Sequence, residues 1–263
     1  MSPAADEVAA RADEAVAQLR EAAGTVDKLL LHIGPELLDL PSTPPEVRRR
    51  LLADVERIGR LLRLHRRWTQ RIGRLVTEAR RTRRGKPVRV LDVGAGSGAL
   101  LFCLEDWARR QRIPIELSGV DADPEALALA RRRAAEEGRR VELHAGDARD
   151  LDRFADGAID VVVSTLTLHH LAPGDAARAL AEIDRVAAVN FFVFDLRRTL
   201  VSLSAAWAFL HLGGFDAPTR HDGLLSVRRG YSVAEMRTLL RTAGVTNAVV
   251  EATSPAYLVA TRA

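Results

Sequence analysis

The stretch that most constrains this chain is "VRVLDVGAGSGALLFCLEDW", residues 88–107. A short apolar run of strand character passes through Gly94, Gly96 and Gly98 into a segment with helical spacing. Glycines there let the backbone turn tightly and let a ligand approach it closely. The spacing also satisfies G-x-G-x-x-G/A, with Ala99 in the last place. A nicotinamide- or flavin-dependent oxidoreductase is therefore a rival reading at this point.

Downstream, strands and helices alternate. "IELSGVD", "VELHAGD", "AIDVVVST" and "AVNFFVFD" read as the second to fifth strands. Asp123-Pro124 opens the helix after the second, and Asp175 is the expected cap of the helix after the fourth. Such alternation predicts a parallel sheet with helices on both faces. An apolar helix and a loop are expected next, up to Tyr231. Ser232 and Glu235 then form a capping box, and Gly244 ends that helix. "TNAVVEAT" and "AYLVATR", joined by Ser254-Pro255, read as an antiparallel pair.

The first 85 or so residues read as helices. Leu51, Val55, Ile58 and Leu62 form one buried stripe, and "TPPE" suggests a capping box of Thr43 and Glu46 with Pro44 in the first helical position. "RRTRRGKP" breaks the pattern, which divides the chain into a helical cap, 1–85, and an α/β domain, 86–263, with an insertion at 197–231. The arginines from Arg48 to Arg89 offer either a nucleic-acid surface or solvated helix faces; interleaved acids and leucines favour the second. The net charge is only +4. A single cysteine, Cys103, excludes an intramolecular disulfide framework and fits a reducing compartment. The N-terminus has no apolar run behind a basic region, so no signal peptide and a cytoplasmic location are expected. Thr199–Phe215 is short for a membrane span.

Three acids lie at successive strand ends. Asp92 precedes the first glycine by two residues, where a carboxylate suits a cationic amine rather than a pyrophosphate. Asp121 can accept from both hydroxyls of a ribose. Asp147, in "HAGDARDL", can meet an adenine amino group. Each alone can be a turn or cap aspartate.

With "LDVGAGSG", "GVDADPEALALAR", "HAGDARDL" and "DVVVSTLTLHHL" in this order, the chain resembles the class I S-adenosylmethionine-dependent methyltransferases of small-molecule type, from about Arg84 to Ala263. The resemblance implies a Rossmann-like, seven-stranded, mostly parallel sheet with a terminal antiparallel hairpin. It implies that Asp92, Gly94, Ala95, Gly96 and Gly98 hold the methionine portion of S-adenosylmethionine. Asp121 and Ala122 would hold the ribose, and Asp147 with Ala148 the adenine, with Ser164 completing the set. The N-terminal helices would cover the acceptor.

Ser164-Thr165-Leu166-Thr167 stands where methyltransferases of base or glutamine nitrogens often carry Asn/Asp-Pro-Pro-Tyr/Phe, which argues against a nucleic-acid substrate. "LHHL" recurs at this position in small-molecule members. Two adjacent histidines are expected to face opposite ways. His169 is the expected base, backed by Asp195 from the fifth strand, with His170 turned into packing at the edge of the acceptor pocket. An aspartate partner raises an imidazole's basicity. "TRHDG" offers Arg220, His221 and Asp222 as further acceptor-pocket residues, with His221 the competitor for the base, or else as a solvated turn. No metal site is expected, because no His/Cys/Asp cluster has ligand spacing. The sequence thus points to methyl transfer onto a small molecule, most readily a hydroxyl of an aromatic, polyketide or lipophilic product. An oxidoreductase and an RNA or DNA methyltransferase are the alternatives. Oligomeric state is left open.

Overall fold

β1 (Val88–Val93) and β4 (Ile159–Thr165) are apolar on both faces and nearly all their residues are buried, so they take the middle of the sheet. The computed structural model describes residues 3–31 and 34–263. Ahead of β1 lie α1 (Pro3–Ala22), α2 (Thr25–Leu30), a 3-10 turn at Leu37–Asp39, α3 (Pro45–Leu61) and α4 (Leu64–Thr82). After β1 come α5 (Ala99–Gln111), β2 (Ile115–Asp121), α6 (Pro124–Glu136) and β3 (Val141–Ala145). β4 is followed by a 3-10 turn at Leu168–His170, α7 (Pro173–Val186) and β5 (Ala187–Leu196). The chain then forms α8 (Leu200–Leu212), α9 (Ala217–Arg229), α10 (Val233–Thr242), β6 (Ala248–Ser254) and β7 (Tyr257–Arg262).

The sheet has seven strands in the order β3-β2-β1-β4-β5-β7-β6. β1 to β5 run parallel, and β7 is antiparallel to both β5 and β6. The α/β fold with its terminal hairpin therefore stands as the sequence implied. Strand order reverses between β1 and β4, and in such sheets ligands bind outside the carboxyl ends at that point.

Each face of the sheet carries its own core. On one, Leu91, Val93 and Val162 meet Ile183 of α7, Leu239 of α10, and Ala12 and Val16 of α1. On the other, Val90, Val161 and Phe192 meet Leu101 and Leu104 of α5, and Trp68 and Ile72 of α4. The N-terminal helices are thus built into both layers. The arginines of α4 (Arg66, Arg67, Arg71, Arg74) face outward, whereas Arg48 and Arg83 pair with Asp123 and Asp160. Among the described residues no helix is long and apolar enough to cross a membrane.

Three local expectations fail for physical reasons. Thr43 caps no helix; its hydroxyl donates to the Leu37 carbonyl, and α3 starts one residue late, behind Pro44 as N-cap. Asp175 lies inside the first turn of α7, behind Ala172 as N-cap, and its carboxylate pairs with Arg149. The polar stretch before Tyr231 is a helix, α9, whose first turn Asp216 caps by accepting from the Thr219 amide at 3.0 Å. At Gly223 a Cβ would lie 2.7 Å from Leu210, so its absence lets α9 close on α8. The capping box of Ser232 and Glu235 and the stop at Gly244, φ +80°, are as read.

Glu235 anchors this end of the fold. It is 2% exposed and accepts from Arg198 at 2.8 and 2.9 Å, from Arg20 of α1 at 2.7 Å and from the Ser232 amide at 2.7 Å. Burial opposes its charge, but Arg198, the Ser232 amide and Arg20 outweigh it and hold the carboxyl below its ordinary range. Glu235→Gln leaves Arg198 buried without its counter-charge, and is expected to cost about 3 kcal/mol or more in urea unfolding at neutral pH. The lowered pKa makes this stability present above the ordinary value of 4.5 and lost as pH falls through the folded value, so parent and variant should converge in acid. A gap that stays constant down to about pH 3 would show that charge is not its source.

Candidate active site

The crossing from β1 to α5 is a cradle built by glycine. Gly94, Gly96 and Gly98 hold φ of +79°, +52° and +75°. The amides of Gly94 and Ala95 both donate to the Val120 carbonyl, at 2.8 and 3.1 Å, which folds the turn over the end of β2. At Gly94 a Cβ would lie 2.2 Å from the Thr167 hydroxyl. Asp121 fastens the cradle from below: one carboxylate oxygen accepts from the Gly96 amide at 2.7 Å, the other from the Asp123 amide at 2.8 Å. Burial raises its pKa, the two amides lower it, and His170 lies near enough for its charge to act on it.

Asp92 is 1% exposed, and its Oδ1 is buried with no hydrogen-bond partner among the described residues. Burial, and then the charge of Asp121, push its pKa well above the usual carboxylate range. Such an oxygen beside a glycine turn fits a cationic amine, which would complete it. Asp147 is held differently. It accepts from the Arg149 amide at 2.9 Å and pairs with the Arg149 guanidinium, which together outweigh burial and lower its pKa. Ala148 is half-buried, and Ala122 is exposed. Ser164 is buried inside β4, where its hydroxyl donates to the Val93 carbonyl at 2.8 Å and braces the strand beneath the cradle.

After half-buried Thr165, the chain leaves β4 through Leu166 at φ +55°, a left-handed conformation that costs a non-glycine residue roughly 1–2 kcal/mol. The bend points Thr167 back at Gly94 and lays Leu168–His170 over the end of β5. Asp195, 1% exposed, accepts there from the Leu168 amide at 2.7 Å and the Leu196 amide at 2.6 Å. Its Oδ1 lies 2.6 Å from His169 Nδ1, so the expected Asp–His pair is formed and fully buried.

The two histidines do not face opposite ways. In the tight 3-10 turn their rings lie side by side in a tilted pair, with centroids 4.2 Å apart and planes inclined by 36°. Both turn toward Glu36, whose Oε1 is 3.9 Å from His169 Nε2 and 3.8 Å from His170 Nδ1. His170 also bonds Asp39 Oδ1 at 2.9 Å. Burial favours its neutral form, but Glu36 and Asp39 outweigh this and push its pKa up to about 9. Burial likewise opposes the charge of Asp39, and His170 and Arg229 hold its pKa at about 2. The expectation of no metal-ligand cluster rested on spacing along the chain. The fold makes one from a distant residue, with the donor atoms of Glu36, His169 and His170 within 4.8 Å of one another.

The "TRHDG" residues serve mainly to hold the roof. Asp222 is buried and accepts from the amides of Leu37 and Leu38 at 2.9 and 3.0 Å. His221 bonds Asp222 at 3.0 Å with its side chain 57% exposed, and Arg220 is half-buried on α9. Residues that sequence reasoning missed do more. Arg229 donates to the His169 carbonyl at 2.9 Å, to the His170 carbonyl and to Asp39 at 2.8 Å. Glu36 and Asp39 come from "GPELLDL", a stretch with no motif to mark it.

Residues 90–190 match a family model described as a methyltransferase domain. Over 103 residues, 39% of its length, the chain is 38% identical to the demethylmenaquinone methyltransferase of Thermus thermophilus. Over 164 residues, 59% of its length, it is 37% identical to the malonyl-[acyl-carrier protein] O-methyltransferase of Geobacter sulfurreducens. These matches cover 43% and 57% of those proteins, so the chain spans about half the length of the curated relatives it matches. Among solved structures, the plantazolicin methyltransferase BpumL in complex with SAH has a TM-score of 0.63 at 14% identity, covering 95% of this chain and 97% of that one. The plantazolicin methyltransferase BamL, in complex with a triazolic desmethylPZN analog and SAH, has a TM-score of 0.59 at 13% identity, covering 86% and 91%. At these identities the likeness is one of fold.

The cradle makes a differential prediction. Gly94→Ala adds the contact with Thr167 to left-handed strain, and should cost clearly more than the roughly 1–2 kcal/mol of strain alone. Gly96→Ala meets nothing within 4 Å and should cost only that strain. Equal losses in thermal unfolding would remove the Gly94–Thr167 contact from the account.

Proposed function

We propose, for a chain that belongs through residues 90–190 to the class I S-adenosylmethionine-dependent methyltransferases, that it transfers a methyl group to a hydroxyl of a lipophilic small molecule. The observation that carries this reading is the buried pair of His169 and Asp195, 2.6 Å apart at the carboxyl ends of neighbouring strands and beside the glycine cradle. Both curated relatives are named methyltransferases, which favours this reading over the nicotinamide alternative that shares the glycine spacing.

In this reading the orphan oxygen of Asp92 holds the amine of the methionine portion, and the glycine turn carries backbone close to it. Asp121, already fixed by two amides, offers its remaining lone pairs to the ribose. Asp147 and Ala148 border the adenine. S-adenosylmethionine supplies a methyl group already activated for a one-step, in-line displacement. The chain's own residues therefore mainly align the acceptor, which can lower a barrier by about 7–11 kcal/mol. Asp195 fixes His169 with Nδ1 engaged and Nε2 free to take the hydroxyl proton, a contribution of about 10²–10⁴-fold. The helices before β1 form the cover, strapped down where Arg48 reaches Asp123.

Adenosylhomocysteine should bind the purified chain in the micromolar range, about −8 kcal/mol, and raise its unfolding temperature. No thermal shift would sink the reading. Asp121→Ala should weaken that binding about 10- to 100-fold. His169→Ala should leave it within about twofold while methyl transfer to acceptors in a metabolite extract, followed by mass spectrometry, falls about 10²–10⁴-fold. Transfer that persists at the parent rate would remove His169 from the chemistry.

A further inference from the structure

We propose that Glu36, His169 and His170 bind a divalent transition metal of the zinc type. Glu36 supplies the anchor. Its side chain is 4% exposed, and Oε1 is buried without a hydrogen-bond partner among the described residues. A carboxylate oxygen in that position is costly unless a cation meets it.

The separations discriminate between ways of meeting it. Oε1 lies 3.9 Å from His169 Nε2 and 3.8 Å from His170 Nδ1. A charge-assisted hydrogen bond needs about 2.7–2.9 Å. One bridging water would hold the two atoms about 4.5 Å apart. Donors that share a zinc ion at bonds of about 2.0–2.2 Å lie about 3.4 Å apart at tetrahedral angles. Both gaps fall between the direct and water-bridged values, and closing each by about 0.5 Å reaches the metal geometry.

The surroundings agree. Asp195 occupies Nδ1 of His169 at 2.6 Å, which fixes the ring and turns Nε2 to Glu36. A carboxylate behind a ligating imidazole is the usual outer support of such sites. If His170 gives its Nδ1 to the metal, Asp39 keeps Arg229 at 2.8 Å as its partner. Once His170 gives up its proton to serve as a ligand, the three carboxylates (Glu36, Asp39 and Asp195) keep Arg229 as their cation among the described residues, and a divalent ion balances the remainder. Two imidazoles and one carboxylate suit zinc and leave a position open.

The binding rests on this geometry alone; its use rests on the methyl-transfer reading above. There, an acceptor hydroxyl in the open position would be acidified by the metal and would release its proton to solvent water. Nε2 of His169 cannot ligate and accept a proton at once, so in the loaded protein the metal would replace the imidazole in activating the acceptor.

The full chain, stripped with chelator, should take up one zinc ion per molecule with a Kd near or below about 1 µM in titration calorimetry. Cobalt(II), as a spectroscopic stand-in, should give the visible bands of a four- or five-coordinate site. Glu36→Gln should weaken zinc binding about 100-fold or more, and Asp195→Asn about 10–100-fold. His211→Ala, an exposed histidine on α8, should change nothing. Metal-free unfolding of each variant reports whether it folds. The parent alone decides if a variant does not: no cobalt spectrum and a zinc Kd weaker than about 100 µM would overturn the proposal. So would zinc binding that a folded Glu36→Gln leaves unchanged. Adenosylhomocysteine binding to the metal-free parent, measured in the same preparation, tests the methyl-transfer reading separately.

Discussion

The carboxylate of Asp195 is the contact on which the rest of the candidate site depends. It ends β5, is 1% exposed, and receives the amides of Leu168 and Leu196 as well as the His169 ring. Each of those bonds fixes something different: the bend after β4, the exit from β5 and the angle of an imidazole. An uncompensated carboxylate in that position would cost several kcal/mol, so the amides and the ring are what keep it there. The strained φ of Leu166 is stable only because the bonds on its far side over-determine the bend.

Over this floor lies a roof from far away in sequence. Asp39 meets His170 across 131 residues, and Asp222 meets Leu37 across 185. Arg229 joins roof and floor by holding both histidine carbonyls and Asp39 together. The roof is polar where it touches the site and apolar where its helices enter the two cores. Its position is therefore set by α4 packing on the sheet and α1 packing on α7 and α10, and its alignment by a few charge-assisted bonds. Those bonds are the short-range, directional kind that fix register better than they add stability.

The sequence was a good guide wherever one element determines its own environment. The strand–glycine–helix unit, the alternation behind it, the terminal hairpin and the capping box at Ser232 are local patterns, and each has the expected form. The pairing of His169 with Asp195 was also legible, because parallel strand ends bring their carboxyl-terminal residues together. What could not be read was contact between distant segments. Glu36 and Asp39 lie in a stretch with no periodicity, and Asp222 lies in "TRHDG", which reads equally as a solvated turn. Within α9, a Cβ at Gly223 would lie 2.7 Å from Leu210, a packing constraint between helices that no local propensity contains. The facing of the two histidines was misjudged for a related reason. The rule of opposed neighbours holds for strands and α-helices, and this pair lies in a single 3-10 turn with a carboxylate drawing both rings.

Two acidic groups now share one wall. On one side are Asp92 and Asp121, the first raised by burial and by the charge of the second. On the other are Glu36, Asp39 and Asp195, and His170 stands between, close enough to act electrostatically on Asp121. Burying so much carboxylate is unfavourable unless cations complete it. The chain supplies Arg229 and a histidine that Glu36 and Asp39 hold protonated through neutral pH. Among the described residues, neither Asp92 Oδ1 nor Glu36 Oε1 has a hydrogen-bond partner. One orphan ends β1 beside the glycine turn, and the other faces the two histidine rings. A site built to receive cationic groups at both places, with imidazole between them, accounts for the placement of both.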